Sequence, residues 1–271
     1  MMKKHMVLII FSSLIILLGI LVFASSKLTT TYYNYESDRV PESFDGARIV
    51  QLSDIHCKRF GKDNEELIRT INAQDPDIIL ITGDCIDQNH HDLTPLEQLF
   101  AGIQDTAPIY AVSGNHECDD PNLYGQLIAL YNKYGITDLD DKEILWSKGG
   151  SSISIKGLGA FENKLNWDND FMKRQDENVF SILLDHYPQL NRLAWYGYDI
   201  ILSGHVHGGV IRLPYVGGLI GNNGDFFPEY DGGEYKIGDS TMYVSRGLGS
   251  TVIPRINNNP EVVVITLHRK D

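Results

Sequence analysis

Seven residues of this chain have the side chains and spacing of metal ligands. Asp54 and His56 stand two apart, and His205 and His207 repeat that spacing inside Gly204-His205-Val206-His207-Gly208-Gly209. Asp84 follows Gly83, Asn115 follows Gly114, and His186 stands alone before the final pair. Side chains two residues apart on an outgoing chain can reach one ion. Carboxylate, amide and imidazole donors together suit zinc, manganese or iron better than a soft-thiolate or all-oxygen calcium site. Seven candidates exceed what one ion takes, so two ions sharing a carboxylate are the economical arrangement. Two ions about 3.5–4 Å apart form the site type that hydrolyses phosphoesters, with a bridging hydroxide attacking phosphorus in line.

These residues need elements that bring them together. Asp54, Asp84, Asn115, His186 and His205 each follow a short apolar run: 48–53, 78–81, 109–112, 180–184 and 200–202. Such runs read as strands buried on both faces. In parallel sheets, ligands bind beyond the carboxyl ends of the strands. Helical spacing of apolar residues marks 64–73 and 122–134, and 95–103 is a third helix. The first half therefore reads β-α-β-α-β-α, which implies a parallel sheet with crossover helices. Residues 144–146 and 151–158 read as a hairpin, and 235–237, 241–245 and 262–267 as tail strands. Residues 27–40 suit a tether or a first edge strand. The fold class expected is α/β, a two-sheet sandwich flanked by helices.

Taken in order, Asp54-x-His56, Gly83-Asp84-x-x-Asp87, Gly114-Asn115-His116-Glu117, His186 and Gly204-His205-x-His207 resemble the calcineurin-like metallophosphoesterase superfamily over residues 48–209. The tail resembles its membrane-associated YkuE/YaeI-like branch. It runs from Tyr243-Val244-Ser245-Arg246-Gly247-Leu248-Gly249 through Pro254-Arg255 to Pro260-Glu261. The resemblance implies that Asp54, His56, Asp84 and His207 hold one divalent ion. Asp84, Asn115, His186 and His205 would hold the other, with Asp84 bridging. It implies that His116 is no ligand but a general acid or electrostatic stabiliser at the leaving oxygen. Asp87 and Glu117 would orient ligands or loops.

Other chemistries fail on local grounds. His116-Glu117-Cys118-Asp119-Asp120 is not HExxH. There is no Gly-x-Ser-x-Gly elbow. Cys57, Cys85 and Cys118 lack CxxC spacing and read as small residues at strand ends, with a Cys57–Cys85 bridge left open. Arg246 and Arg255 are candidates either for substrate phosphate or for a surface carboxylate. His90-His91 reads as solvated. The Gly-rich, aromatic-edged stretch 215–227 suits a substrate mouth, a membrane contact or ordinary loop packing. The alternative to an enzyme is an anchored envelope protein whose metal site is only structural. A closed ligand set would mark that case. His116, which binds no ion in the scheme, argues for turnover.

Residues 6–24 are nearly continuous apolar sequence with Lys3 and Lys4 ahead of them. About 20 residues at about 1.5 Å each span a ~30 Å hydrocarbon core. The lysines favour a cytoplasmic N-terminus. The expected organisation is an anchor or signal segment over 1–26 and a metallophosphoesterase domain over 27–271. The catalytic domain is then extracytoplasmic and single-pass. The net charge is −13, which opposes a nucleic-acid partner held by a basic surface. The expected partners are a small-molecule or lipid-linked phosphoester and the membrane, with the protein a monomer. A phosphodiester or pyrophosphate of the cell envelope is the substrate class expected, because an anchor concentrates the enzyme there.

Overall fold

The computed structural model describes residues 5, 11–12, 19, 22–87, 89–163, 171, 175–176, 178–221, 224, 226–249 and 254–270. The predicted membrane-crossing stretch, 6–24, lies mostly outside them. Among the described residues no helix is long and apolar enough to cross a membrane.

Two six-stranded mixed sheets stack face to face. The first contains β1 (Thr29–Ser37), β2 (Arg48–Leu52), β3 (Ile78–Thr82), β4 (Ile109–Val112), β5 (Thr137–Asp138) and β14 (Glu261–Arg269), in the order β1-β14-β2-β3-β4-β5. β2 to β5 run parallel, as the alternating pattern predicts, and β14 runs antiparallel to β2. The second contains β6 (Lys142–Lys148), β7 (Ser151–Leu158), β8 (Ser181–Asp185), β9 (Ile200–Ser203), β12 (Gly233–Ile237) and β13 (Ser240–Val244). Its order is β12-β13-β9-β8-β7-β6, with β7, β8, β9 and β13 parallel. A small ribbon, β10 (Arg212–Leu213) and β11 (Gly217–Gly218), stands apart. Residues 29–37 resolve the choice between tether and edge strand in favour of an edge strand along β14.

Alternation explains why the central strands read as unbroken apolar runs. Ile49, Ile78 and Leu80 point into the space between the sheets, against Ile155, Ile182, Leu184, Ile200 and Leu202. Val50, Ile79 and Ile81 point the other way, onto α1 (Glu65–Asn72), α2 (Thr94–Ile103) and α4 (Pro121–Lys133). Each face buries Leu, Ile or Val worth about 1.5–3 kcal/mol per side chain. On the far side of the second sheet, Leu183, Ile201 and Met242 pack under Leu190, Leu193 and Tyr196. The short helix α3 (Asn115–Asp119) has no such stripe and was not legible as a helix. α5 (Ala160–Asn163) and α6 (Leu190–Leu193) are single turns.

The two sheets are tied between interior strands, near their carboxyl ends. Buried Gln51 of β2 donates through Nε2 to Ser203 O of β9 (2.9 Å) and to Thr82 Oγ1 of β3 (3.1 Å). Beyond that tie the carboxyl ends of β2, β3 and β4 meet those of β8 and β9.

Candidate metal centre

Each predicted ligand sits on the segment leaving one of those strands. Asp54 follows β2, Asp84 follows β3, Asn115 opens α3 after β4, His186 follows β8, and His205 follows β9. The pairing of the first two segments outlasts the strands: His56 N donates to Asp84 O (3.0 Å) and Cys57 N to Cys85 O (2.9 Å). Asp54, His56, Asp84, His205 and His207 all have positive φ, from 49° to 72°. Such conformations cost about 1–3 kcal/mol in a non-glycine residue, least for Asp, Asn and His. They turn consecutive side chains toward one point.

The residues gather in two groups. Asp54, His56, Asp84 and His207 each offer a ligand atom within 4.8 Å of the others, and so do Asp84, His186 and His205. Asp84 belongs to both groups. Asn115 Oδ1 lies 3.2 Å from His186 Nε2, which brings the amide to the second group.

The hydrogen bonds behind the rings decide which nitrogens face inward. His56 Nδ1 lies 3.2 Å from Ile86 O, His207 Nδ1 3.2 Å from Gly249 O, and His186 Nδ1 2.8 Å from Thr82 O. A carbonyl only accepts, so each Nδ1 carries the proton and donates it. Burial pushes the imidazolium of His56 down to about 4 and that of His207 well below its ordinary value. Both rings are therefore neutral near pH 7, and both Nε2 atoms are bare. Those two nitrogens face each other at 3.2 Å. Two lone pairs at that separation repel unless a cation lies between or beside them. His205 differs: its Nδ1 faces inward, 3.2 Å from His186 Nε2, and burial lowers its pKa to about 3.

Asp84 has the complementary defect. Its Oδ2 is buried without a hydrogen-bond partner. His186 Nε2 at 3.2 Å and His56 Nε2 at 3.9 Å form ion pairs with it if protonated. Burial alone would raise the Asp84 pKa, but the surrounding histidines hold it well below the usual carboxylate range. Burial would likewise lower His186, but the Asp84 charge outweighs it and raises His186 to about 10. Asp54 is pushed up to about 6 by burial and by Asp84, against the pull of His186. A buried carboxylate oxygen that makes no hydrogen bond, charge-paired with His186 and beside the bare nitrogens of His56 and His207, is a donor set that fits divalent cations.

Supporting residues fix this arrangement. Both Asp54 oxygens accept from His205 N, at 3.1 and 3.2 Å, which spans the two sheets. Asp84 Oδ1 accepts from His116 N (2.9 Å). Glu117 accepts four backbone N–H bonds, from Asp84 (3.0 Å) and Gly114 (2.6 Å) on Oε2 and from Cys85 (2.9 Å) and Ile86 (3.2 Å) on Oε1. Burial and the neighbouring Asp84 raise it to about 7, while the N–H donors favour its charged form. Four donors and no acceptor suit the anion, so Glu117 is a brace between two ligand loops. Gly114 and Gly204 serve close approach. A Cβ on Gly114 would collide with the Asp84 carboxylate, and one on Gly204 with Ser53 Oγ and Asp54 Oδ2.

Several sequence candidates take other places. Asp87 accepts from Asn89 N (2.9 Å) and pairs with His90 Nδ1 (2.8 Å), so it holds the 87–90 loop. His90 is thus tethered, although its side chain is 66 % exposed. Arg246 pairs with Glu261 (2.5 Å), which settles it as a carboxylate partner. Arg255 is buried and donates to Gly249 O and His207 O, bracing the carbonyl that orients His207. None of Cys57, Cys85 and Cys118 forms a disulfide. Asn258 was missed: its buried Nδ2 donates to His207 O at 2.6 Å. No sequence signal marks it, because its partner is a main-chain carbonyl.

His116 stands beside the ligands rather than among them. Its ring meets the His56 ring edge-on at 4.8 Å, and its Nδ1 has no hydrogen-bond partner. A cavity of about 480 Å³ opens beside His205, walled by Tyr187, Arg192, Pro228, Glu229 and Tyr230. A smaller one of about 280 Å³ lies beside His56, lined by Lys58, Asp87 and His90.

Comparison with known proteins agrees with this geometry. The family model described as calcineurin-like phosphoesterase matches residues 47–209. The chain is 34% identical to the metallophosphoesterase YkuE of Bacillus subtilis, over 89% of this chain and 85% of that protein. It is 26% identical to the phosphodiesterase YaeI of Escherichia coli, over 81% of this chain and 82% of that one. It is 27% identical to a transmembrane protein with metallophosphoesterase domain of Bos taurus, over 84% of this chain and 54% of that one. The family uses a dinuclear divalent metal centre. This chain belongs to the calcineurin-like phosphoesterase family, in the branch of YkuE and YaeI, and is a metal-dependent phosphoesterase.

Proposed function

We propose that this phosphoesterase cleaves a phosphodiester or pyrophosphate in a lipid-linked or cell-envelope substrate, and works as a monomer at the outer face of a cytoplasmic membrane. The observation that supports the ligand scheme best is the facing pair of bare nitrogens on His56 and His207 beside an Asp84 oxygen that makes no hydrogen bond. Asp54, His56, Asp84 and His207 hold one divalent ion. Asp84, Asn115, His186 and His205 hold the other. The nitrogen and oxygen donors fit manganese, zinc or iron. When bound, the two ions make water acidic enough to act near neutral pH and neutralise charge on the phosphoryl oxygens.

The chain's own residues supply the rest. His116, with an uncommitted ring nitrogen, donates a proton to the leaving oxygen or stabilises its charge. The cavity beside His205 receives a substituent of the phosphate, and Arg192 and Tyr187 line it. Residues 1–26 act as the anchor and 27–271 as the catalytic domain. That reading rests on the nearly continuous apolar run 6–24 and on a relative named as a transmembrane protein.

The test is a metal-supplemented panel on the full chain in detergent. It contains bis-p-nitrophenyl phosphate, p-nitrophenyl phosphate and lipid-linked pyrophosphates, with Asp84→Asn as control. Diesters or pyrophosphates should turn over in the wild type and not in the variant. Equal background rates in both proteins would sink the reading, and two metals per chain without turnover would leave only a structural site.

A further inference from the structure

The cavity beside His205 is not isolated. Asn191 lines it and also lines a second cavity of about 640 Å³, walled by Trp195, Tyr198, Ile237 and Asp239. α6 and the turn after it form one side of both. Residues 190–196 run from the carboxyl end of β8 back toward the start of β9. The facing side is 228–230 near His205 and the β12–β13 turn at the far end. At helical rise the stretch 190–196 advances about 10 Å. The two cavities therefore make one groove from the candidate metal centre to Trp195. Both volumes fall in the range of about 300–1,000 Å³ usual for small-molecule sites.

The groove has an aromatic ring at each end. Tyr187 packs edge-on against His205, with ring centroids 4.7 Å apart, so a substituent on a phosphate beside His205 passes along it. Trp195 stands at the other end and is 72% exposed. Between them lie donors and acceptors. Asn191 Nδ2 donates to Glu229 Oε1 (3.3 Å), and Arg192 lines the same stretch. In the second cavity Arg39 bonds Asp199 through Nε and Nη2 and donates to Val179 O (2.9 Å), so the fold answers its charge. Asp239 adds a carboxylate. The lining cations, Arg192 and Arg39, are thus outnumbered by Glu229, Asp199 and Asp239, which disfavours a polyanion. An acyl chain would leave these polar groups without partners. Sugars suit both features. A pyranose offers a C–H face to an aromatic ring, and each hydroxyl both donates and accepts.

We propose that this groove binds a glycan carried by the scissile phosphate. The first ring lies on Tyr187, and later rings reach Trp195. This rests on the reading above that the cavity beside His205 receives a substituent of the phosphate. Glu229 and Asp239 accept from sugar hydroxyls, and Asn191 and Arg192 donate to them. The phosphoester bond is then selected at the candidate metal centre, and the glycan about 10 Å away along 190–196.

The test reads phosphodiester turnover by the full chain in detergent with added metal. Each substrate is a p-nitrophenyl phosphodiester whose second ester is ethyl, hexyl, a single sugar or a tetrasaccharide, in a glucose and an N-acetylglucosamine series. From ethyl to tetrasaccharide, kcat/KM should rise by at least about tenfold in one series or both, because contacts remote from the phosphorus stabilise the transition state relative to free enzyme and substrate. Trp195→Ala should remove most of the step from single sugar to tetrasaccharide, and Trp195→Phe should keep most of it. Trp195 is exposed, so neither change opens a cavity in the core. Turnover of the ethyl ester with no gain from either tetrasaccharide, or with a larger gain from hexyl, would overturn the proposal and leave the phosphoesterase reading standing. A tetrasaccharide gain that survives Trp195→Ala would overturn the groove assignment. If no ester turns over, calorimetric titration with the tetrasaccharide esters decides. Binding lost in Trp195→Ala supports the groove and places the failure in the substrate reading, and no binding to the wild type overturns the proposal.

Discussion

Gly114→Ala tests whether the position of Asp84, shared by the two candidate ligand groups, depends on space alone. Gly114 has φ −110° and ψ −170°, a conformation any residue adopts. The cost of a side chain there is therefore steric, not conformational. The added Cβ would collide with Asp84 Oδ1 and lie 2.5 Å from Asp84 N. Asp84 has nowhere to retreat. Its Oδ1 is held by His116 N (2.9 Å), its N–H by Glu117 (3.0 Å), and it is 1% exposed. Overpacking of this kind costs about 1–3 kcal/mol. At about 2 kcal/mol, a chain of this size should melt about 4–8 °C lower. A displaced bridging ligand should also weaken metal binding by about 10–100-fold. Gly125→Ala is the opposite control: exposed, inside α4, with nothing within 4 Å of the added Cβ. It should gain about 0.5–1 kcal/mol from helix propensity and leave metal binding unchanged. Thermal melts and metal titrations of both variants read the contrast. A Gly114→Ala protein with wild-type melting and affinity would refute the close-approach argument and with it the geometry assigned to Asp84.

Three further outcomes are expected. His116→Ala should lower kcat by about 10²–10⁴-fold while metal content by elemental analysis stays at the wild-type value; an emptied site would show that His116 is a ligand. Asn258→Ala removes the donor to His207 O and should cost about 1–3 kcal/mol in urea unfolding, with weaker metal binding. Asp140 accepts from Ser113 N (2.7 Å) and Tyr124 OH (3.2 Å), and burial pushes it up to about 6. Its folded pKa exceeds its unfolded value, so the charged form costs stability above about pH 6, and that cost fades as the pH falls toward about 4. Asp140→Asn should therefore stabilise the fold at pH 8 by up to about 3 kcal/mol and give no gain at pH 4, as urea melts at the two values would show.

The strands and the clustering of the candidate ligands were legible because each leaves a mark in the residue alphabet. Ile78 to Ile81 reads as unbroken apolar sequence because both faces of β3 are covered. Asp54-x-His56 and His205-x-His207 are visible because only a few side chains offer nitrogen or charged oxygen. The supports were less legible for a physical reason. His56, His186 and His207 are oriented by the carbonyls of Ile86, Thr82 and Gly249, and any residue supplies a carbonyl. Arg255 and Asn258 act on His207 from about 50 positions away, through main-chain atoms that carry no sequence signature. α3 was hidden because five residues are too few to show helical periodicity.

The protein part of the centre is locally unfavourable in several ways at once. Five candidate ligands hold left-handed backbone conformations, two bare nitrogens face each other, and one carboxylate oxygen is buried without a hydrogen bond. Folding does not remove these costs, because the strand ends that impose them are fixed by apolar layers on both sides. The residues responsible are also the ones a stability-driven sequence would replace first: Asp54 and Asp84 with apolar residues, His56 with an aliphatic one. A divalent ion held by these donors would offset the electrostatic costs, because its charge would face the bare nitrogens and the Asp84 oxygen. The surrounding core thus does more than stabilise the fold. It holds donors together in positions they would not adopt alone.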